Sequence, residues 1–334
     1  MICSLDSDYT VPKRHGHTYK LHYMFLSGEE RRIYKAIFDA IEAHENRLVF
    51  GKAIDTNQLW RIFLEVLADN PTLFWVEKGV RFSVSQRETV LILKYIFKAS
   101  DVAEYKKRMT RKIEEIYNEC VPGCKCDMDL VVSVHDYITR NVLYVNDGNP
   151  EQQSMVGPLM FGKGVCEGIS FLYSYILNVF GINCTTIYGR IEGEENGHAW
   201  NMVFLDGQGY HVDVTHDLEC STYRGNHIHL NLTDEEIGRN RTWEHPVRCG
   251  ATIYNYYSYN GYQFKGFKEV CEYIRSCLKA KKMEFEFRIV PSPPRDTVMK
   301  QINDYIVKIA KDYSFGWSGM LDVYYMKFDR IRLK

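Results

Sequence analysis

The sequence has no uninterrupted apolar run of the roughly 18 residues that a membrane-spanning helix needs. It also has no excess of one charge. Lys plus Arg number 42 and Asp plus Glu 43, for a net charge of −1. No broad positive field is therefore available to hold nucleic acid or an anionic membrane, and neither is expected as a partner. No internal repeat and no low-complexity segment occurs. No G-x-x-x-x-G-K-[ST] or G-x-G-x-x-G follows a strand pattern, so nucleotide binding has no support. No D-x-D-x-D-G calcium loop is present. The opening MICSLDSDYT has neither the basic region nor the apolar run of a signal peptide. The chain is expected to be cytoplasmic, or secreted if an export segment has been removed. Ten Cys are spread irregularly over 334 residues, which speaks for buried thiols rather than a disulfide scaffold. N-L-T at Asn231 and N-R-T at Asn240 are glycosylation sequons by pattern alone.

What is present is the composition of a folded protein, 45% hydrophobic and 25% charged, with 24 Tyr. Residues 1–26 read as an arm or loop. A helix is predicted from about Gly28 to His44, with Ser27 and Glu30 forming a capping box. A second follows Asp55, which has Gln58 three residues on. Phe74 to Val84 reads as one or two short strands, Val102 to Glu119 as a charged helix and Asp129 to Val142 as another. The tail predicts helix (Lys268–Lys281), strand (Met283–Val290), helix (Thr297–Lys311) and strand (Leu321–Leu333). Helices early and strands late favour an α+β fold over a doubly wound sheet. Three parts are expected: a mainly helical N-terminal extension (1–120), a catalytic core (121–235) and a C-terminal α/β extension (236–334).

The chemistry concentrates in the core. Cys166 follows Gly162 and Gly164 and opens a helix with Ile169, Leu172, Tyr175, Ile176 and Val179 on one stripe. A thiol at a helix N-terminus meets unpaired N–H groups and the positive end of the macrodipole, which favour the thiolate. The same N–H groups can receive an oxyanion, and the two glycines are expected to let a substrate backbone come close. His198 starts an alternating run that reads as a strand. Asp206-Gly207 is a tight-turn signal, and Tyr210 to Val214 reads as the return strand. A two-residue turn pairs 205 with 208 and puts Asp213 diagonally beside His198 on one face, whereas a three-residue loop would separate them. Asp213 could then orient the imidazole of His198, and His198 could deprotonate Cys166 and later protonate a leaving amine.

G-V-C-E-G at 164–168, H-A-W-N at 198–201 and V-D-V-T at 212–215 resemble the transglutaminase-like superfamily, a papain-related group with a Cys–His–Asp triad. The likeness is strong over about 130–217. It runs more weakly along nearly the whole chain, which resembles bacterial, largely clostridial, proteins carrying this domain. The resemblance implies an α+β papain-like core, a helix bearing the Cys packed on an antiparallel sheet bearing His and Asp. It matches Cys166 to the nucleophile, His198 to the base and Asp213 to the orienting carboxylate. One departure is visible: His216-Asp217 stands where the family often has Trp-Asp. The implied chemistry is acyl transfer on protein or peptide through a thioester, most simply hydrolysis, with no cofactor. Transglutamination or deamidation of Gln, arylamine-type N-acyl transfer and a non-catalytic peptide- or glycan-binding module are the alternatives.

Around the triad, Gln152 or Gln153 could supply an oxyanion donor, and Gln153 is carried as the candidate. Trp200 could cover the thioester or simply fill the sheet core. Glu192, Glu194 and Glu195 could bias the cleft mouth toward cationic substrates or form a solvated face. Cys120, Cys124 and Cys126 have no standard zinc spacing, and ligands one residue apart on an extended chain point to opposite sides. His211, His216, His227 and His229 cluster in sequence near Cys220; His227 and His229 could share a strand face and bind a metal, but surface or satisfied histidines are the simpler reading. No pattern fixes an oligomeric state.

Overall fold

The computed structural model describes residues 10–11, 19–219, 226–320 and 322–334. Most of the arm expected at 1–26 lies outside these residues, as does Cys220. The chain divides into two compact units. One comprises Met1–Glu219 and His229–Ala251, the other Cys220–Ile228 and Thr252–Lys334. The helical N-terminal part and the Cys–His–Asp segment thus lie in one unit.

In that unit the helices start where the capping chemistry says they should. Helix α1 (Gly28–Glu42) has both reciprocal bonds of the capping box. The Glu30 N–H donates to Ser27 Oγ, and the Ser27 N–H donates to the Glu30 carboxylate. The side chain of Asp55 accepts the Gln58 N–H at 2.9 Å and opens α2 (Thr56–Asp69). Ile33, Ile37 and Ile41 of α1 and Leu59, Ile62, Phe63 and Val66 of α2 are buried. A three-stranded antiparallel sheet follows, with Thr89–Ile92 between Arg47–Phe50 and Arg81–Val84. Then come α3 (Ala99–Cys120), α4 (Asp127–Asn141) and α5 (Cys166–Val179).

A five-stranded antiparallel sheet backs α5. Its strands are β1 (Cys184–Ile191), β2 (Gly197–Leu205), β3 (Gln208–Val212), β4 (Leu230–Leu232) and β5 (Arg241–Trp243), in the order β5-β1-β2-β3-β4. A six-residue helix, α6 (Val214–Glu219), follows β3. Asp206 and Gly207 both have positive φ, at 49° and 74°. This is the two-residue turn whose twist matches a hairpin. It sets Leu205 opposite Gln208 and Asn201 opposite Val212, the register predicted from the sequence.

Helix α5 differs from the amphipathic helix its stripe suggested: Glu167 through Val179 are all buried. Its polar residues are tied to what surrounds it. Tyr173 OH donates to the Val131 carbonyl of α4 (3.2 Å), Ser170 Oγ to the Ala199 carbonyl of β2 (3.0 Å), and Asn178 exchanges two bonds with the backbone of Cys184. A helix enclosed on all sides can afford Ser and Asn only when each finds such a partner.

The second unit is a four-stranded sheet covered by two helices. In chain order its elements are β6 (Gln263–Phe264), α7 (Phe267–Lys279), β7 (Glu284–Ile289), α8 (Arg295–Ile309), β8 (Ala310–Met320) and β9 (Val323–Leu333), with strand order β6-β7-β9-β8. Phe285, Phe287 and Ile289 alternate into the core against Val298, Ile302, Ile306 and Phe328. Two predicted boundaries are corrected here. Helix α8 ends at Ile309 rather than Lys311, and residues 310–320 form a strand not seen in the sequence. Phe315 pairs with Phe328 and Trp317 with Met326 across the β8–β9 hairpin, and such aromatic cross-strand pairs favour a strand.

Candidate active site

Cys166 is the first residue of α5, after Val165 at the N-cap, and is half-buried. The loop before it is pinned onto the helix start: the Val165 N–H donates to the Gln152 carbonyl at 3.0 Å. Gly168 makes this possible. A Cβ there would lie 2.3 Å from the Gln152 carbonyl oxygen and 2.8 Å from that of Ser154. Gly162 and Gly164 serve the chain's own packing. Gly162 adopts φ 64° to end the helix Val156–Phe161, and Gly164 lies against Pro158 and Ile169.

His198 lies on β2, and Asp213 immediately after β3. Nε2 of His198 and Oδ2 of Asp213 are 2.8 Å apart, with both side chains buried. The Cys166 side chain acts on the same imidazole, adding to the upward pull on its pKa. Because Nε2 is taken by Asp213, Nδ1 is the nitrogen left for the sulfur. The three groups singled out in the sequence therefore meet at the head of α5. Asp213 is also the N-terminal residue of a turn, its Oδ1 accepting the His216 N–H at 3.1 Å.

Residues 114–214 match the family model of the transglutaminase-like superfamily core. This segment belongs to the transglutaminase-like superfamily. A mouse protein, kyphoscoliosis peptidase, is 23% identical over 134 residues, which make up 36% of this chain and 20% of that protein. The chain thus spans about a fifth of the length of the curated relative it matches. Among solved structures, a transglutaminase is 13% identical with a TM-score of 0.30, covering 51% of this chain and 50% of its own. The periplasmic domain of TgpA from Pseudomonas aeruginosa is 18% identical with a TM-score of 0.28, covering 42% and 60%. TM-scores this low add nothing to the sequence match.

Within the transglutaminase-like core the electrostatics are set by burial against partners. Burial alone would lower the His198 pKa. The charge and hydrogen bond of Asp213, with those of Cys166, outweigh it and lift the imidazole to about 10. Burial would likewise raise Asp213, but His198 and His216 hold its carboxyl well below the usual carboxylate range. His216 Nδ1 lies 3.2 Å from Asp213 Oδ2.

The remaining candidates fall as follows. Trp200 is fully buried in the sheet core, its ring stacked 5.9 Å from that of His198 and its Nε1–H donating to His211 Nδ1 at 3.0 Å. It supports the imidazole from within the fold. Gln153 is exposed and lines a pocket of about 20 Å³ with Lys78 and Glu167. Gln152 is buried, and its side-chain oxygen accepts the Asp147 N–H. Of the four clustered histidines, His216 and His229 stay together, their ring centroids 5.2 Å apart, and the others find separate partners. His211 bonds Asp234 at 2.9 Å, His229 bonds Asp217 at 2.8 Å, and His227 bonds Glu286 at 2.6 Å. His227 and His229 fall in different compact units and share no strand face. Cys120 ends α3 and Cys124 Sγ contacts the Cys120 carbonyl. The sequon residue Asn231 is fully buried and so closed to a glycosylating enzyme.

Three features were not read from the sequence. Arg241 of β5 donates from Nη2 to Asp213 Oδ2 at 2.7 Å. Glu167, beside the nucleophile, bonds Lys78 Nζ at 2.7 Å and Tyr188 OH at 2.8 Å. Burial, followed by the charges of Glu167 and Cys166, pushes the Tyr188 hydroxyl well above its ordinary range. Asp217 is buried between His135 Nε2 (3.1 Å) and His229 Nδ1 (2.8 Å). Only the turn from Asp213 to His216 carried a local signal, an Asp three residues ahead of a helical N–H. The other contacts join residues 12 to 89 positions apart.

Proposed function

We propose that this chain is a cysteine-dependent acyl-transfer enzyme acting on protein or peptide, with water as the simplest acceptor. The observation that carries the reading is the 2.8 Å bond between His198 Nε2 and Asp213 Oδ2, with Cys166 on the same imidazole at a helix N-terminus. In this reading His198 takes the Cys166 proton, and the sulfur attacks the carbonyl carbon of an amide. Free N–H groups at the start of α5 receive the oxyanion. The imidazolium then gives its proton to the departing amine, leaving a thioester. Water, activated by the neutral imidazole, attacks the thioester and releases the acid. Asp213 holds one tautomer throughout.

The name of the mouse relative, a peptidase, favours water as acceptor. A polypeptide substrate fits a chain whose 42 basic and 43 acidic residues offer no field for nucleic acid. No helix among the described residues is long and apolar enough to cross a membrane.

The test is a thiol-directed activity probe, followed by incubation of a Gln-containing protein with a labelled primary amine. Selective labelling of Cys166 and cleavage without amine incorporation are expected. Incorporation without cleavage would replace hydrolysis by transglutamination. Labelling of Cys166 no faster than of the other thiols would leave a binding module.

A further inference from the structure

Arg241 lies beyond the segment matched to the superfamily, on the edge strand β5. Its side chain is almost wholly buried. Nη2 donates to Asp213 Oδ2 at 2.7 Å and Nη1 to Asn240 Oδ1 at 2.7 Å, while Nε is buried with no hydrogen-bond partner among the described residues. A buried guanidinium with an unpaired N–H costs stability, and an edge strand has no packing need for one. The oxygen it engages is the one that accepts His198 Nε2.

We propose that Arg241 is a positioning residue for the acyl-transfer site, fixing Asp213 Oδ2 and tempering the basicity that this carboxylate confers on His198. The inference rests on the functional reading above. With the nucleophile ionised and His198 protonated, the buried set of thiolate, imidazolium, carboxylate and guanidinium is neutral. Remove the guanidinium and the set carries a net negative charge, with Asp213 and His198 buried. The imidazolium is then held more tightly and gives its proton to a leaving amine less readily. The groups facing Asp213 are His198 from β2, His216 from α6 and Arg241 from β5; Cys166 from α5 faces His198. His216 contacts the carboxylate through its backbone N–H and a side-chain nitrogen. Arg241 is thus its one permanently charged neighbour among these groups.

The experiment uses the full chain, with the ring nitrogens of His198 followed by NMR across pH and iodoacetamide alkylation of Cys166 measured on the same samples. Arg241→Gln is expected to move the His198 titration upward by about one pH unit. Arg241→Lys keeps the charge and is expected to leave that titration within about 0.3 unit of wild type, even where its single donor lowers the melting temperature. A structural role alone would change the melting temperature and not the titration. An unchanged His198 titration in folded Arg241→Gln overturns the inference. If that variant does not fold, Arg241→Lys decides: a shift as large as one unit despite the retained charge overturns it. Should wild-type Cys166 alkylate no faster than the other thiols, the functional reading itself has failed, whatever Arg241 does.

Discussion

Asp213 and Asp217 stand four residues apart, both fully buried and both bonded to imidazole. They differ in what else reaches them. Asp213 faces His198, which faces Cys166, and a guanidinium shares its oxygen. Asp217 lies between His135 and His229 and accepts the His229 backbone N–H. For both, burial would raise the pKa and the histidines pull it down. The pairing of a carboxylate with an imidazole is therefore not what marks a reactive centre here. What sets the Asp213 pair apart is the half-buried thiol at the head of a helix beside its imidazole, and the proposed reactivity rests on that thiol. The Asp217 group ties α4, α6 and the chain before β4 together, and its expected role is to hold these elements in place.

The sharpest way to break the contrast is at the thiol. Cys166→Ala is expected to remove turnover by at least about 10⁴-fold and to abolish probe labelling with little change in thermal stability. Activity that survives would detach the site from the function. Asp213→Asn comes next. It leaves the shape and spoils the tautomer and charge, so kcat should fall by roughly 10²–10⁴-fold. Asp217→Asn should do the converse. Loss of a buried carboxylate between two imidazoles is expected to cost about 3 kcal/mol in denaturant unfolding, with kcat per folded molecule within about threefold of wild type. If Asp217→Asn lowers kcat as Asp213→Asn does, the two carboxylates form one functional unit and the contrast is lost.

A pH series sharpens it further. The His198 pKa is raised in the fold, from an ordinary 6.5 to about 10. Its charged form therefore adds stability fully below pH 6.5 and loses that contribution as pH rises toward 10. The melting-temperature gap between wild type and His198→Gln should narrow across that window, and a constant gap would contradict the shift. The smallest effect lies away from both carboxylates: Ser27→Ala removes one half of the capping box and should cost about 1 kcal/mol in chemical denaturation.

What could be read in the sequence follows the range of the interaction. The His198–Asp213 register was legible because one tight turn, Asp206-Gly207, fixes it across a separation of 15 positions. Capping at Ser27 and Asp55 was legible for the same reason. Arg241 was not: it reaches Asp213 through the pairing of Arg241 with Ile191 and of β1 with β2, across a stretch that looks irregular as text. Trp200 shows its alternation but not which side of the sheet is enclosed, so a lid and a core residue read alike. Strand β8 was missed because its Ser and Gly positions dilute the aromatic alternation. The stripe on α5 suggested an exposed back, whereas Ser170 and Asn178 there are satisfied by the sheet strands Gly197–Leu205 and Cys184–Ile191, and Ser174 by the Phe171 carbonyl of its own helix.

The hydrogen atom that Gly168 carries in place of a side chain has a genetic consequence. The carbonyls of Gln152 and Ser154 occupy the volume any Cβ would need, and the same loop anchors the backbone that presents Cys166. An allele substituting even alanine there would push this loop off the helix start. Such an allele would behave as a null for activity while every reacting group stayed chemically intact.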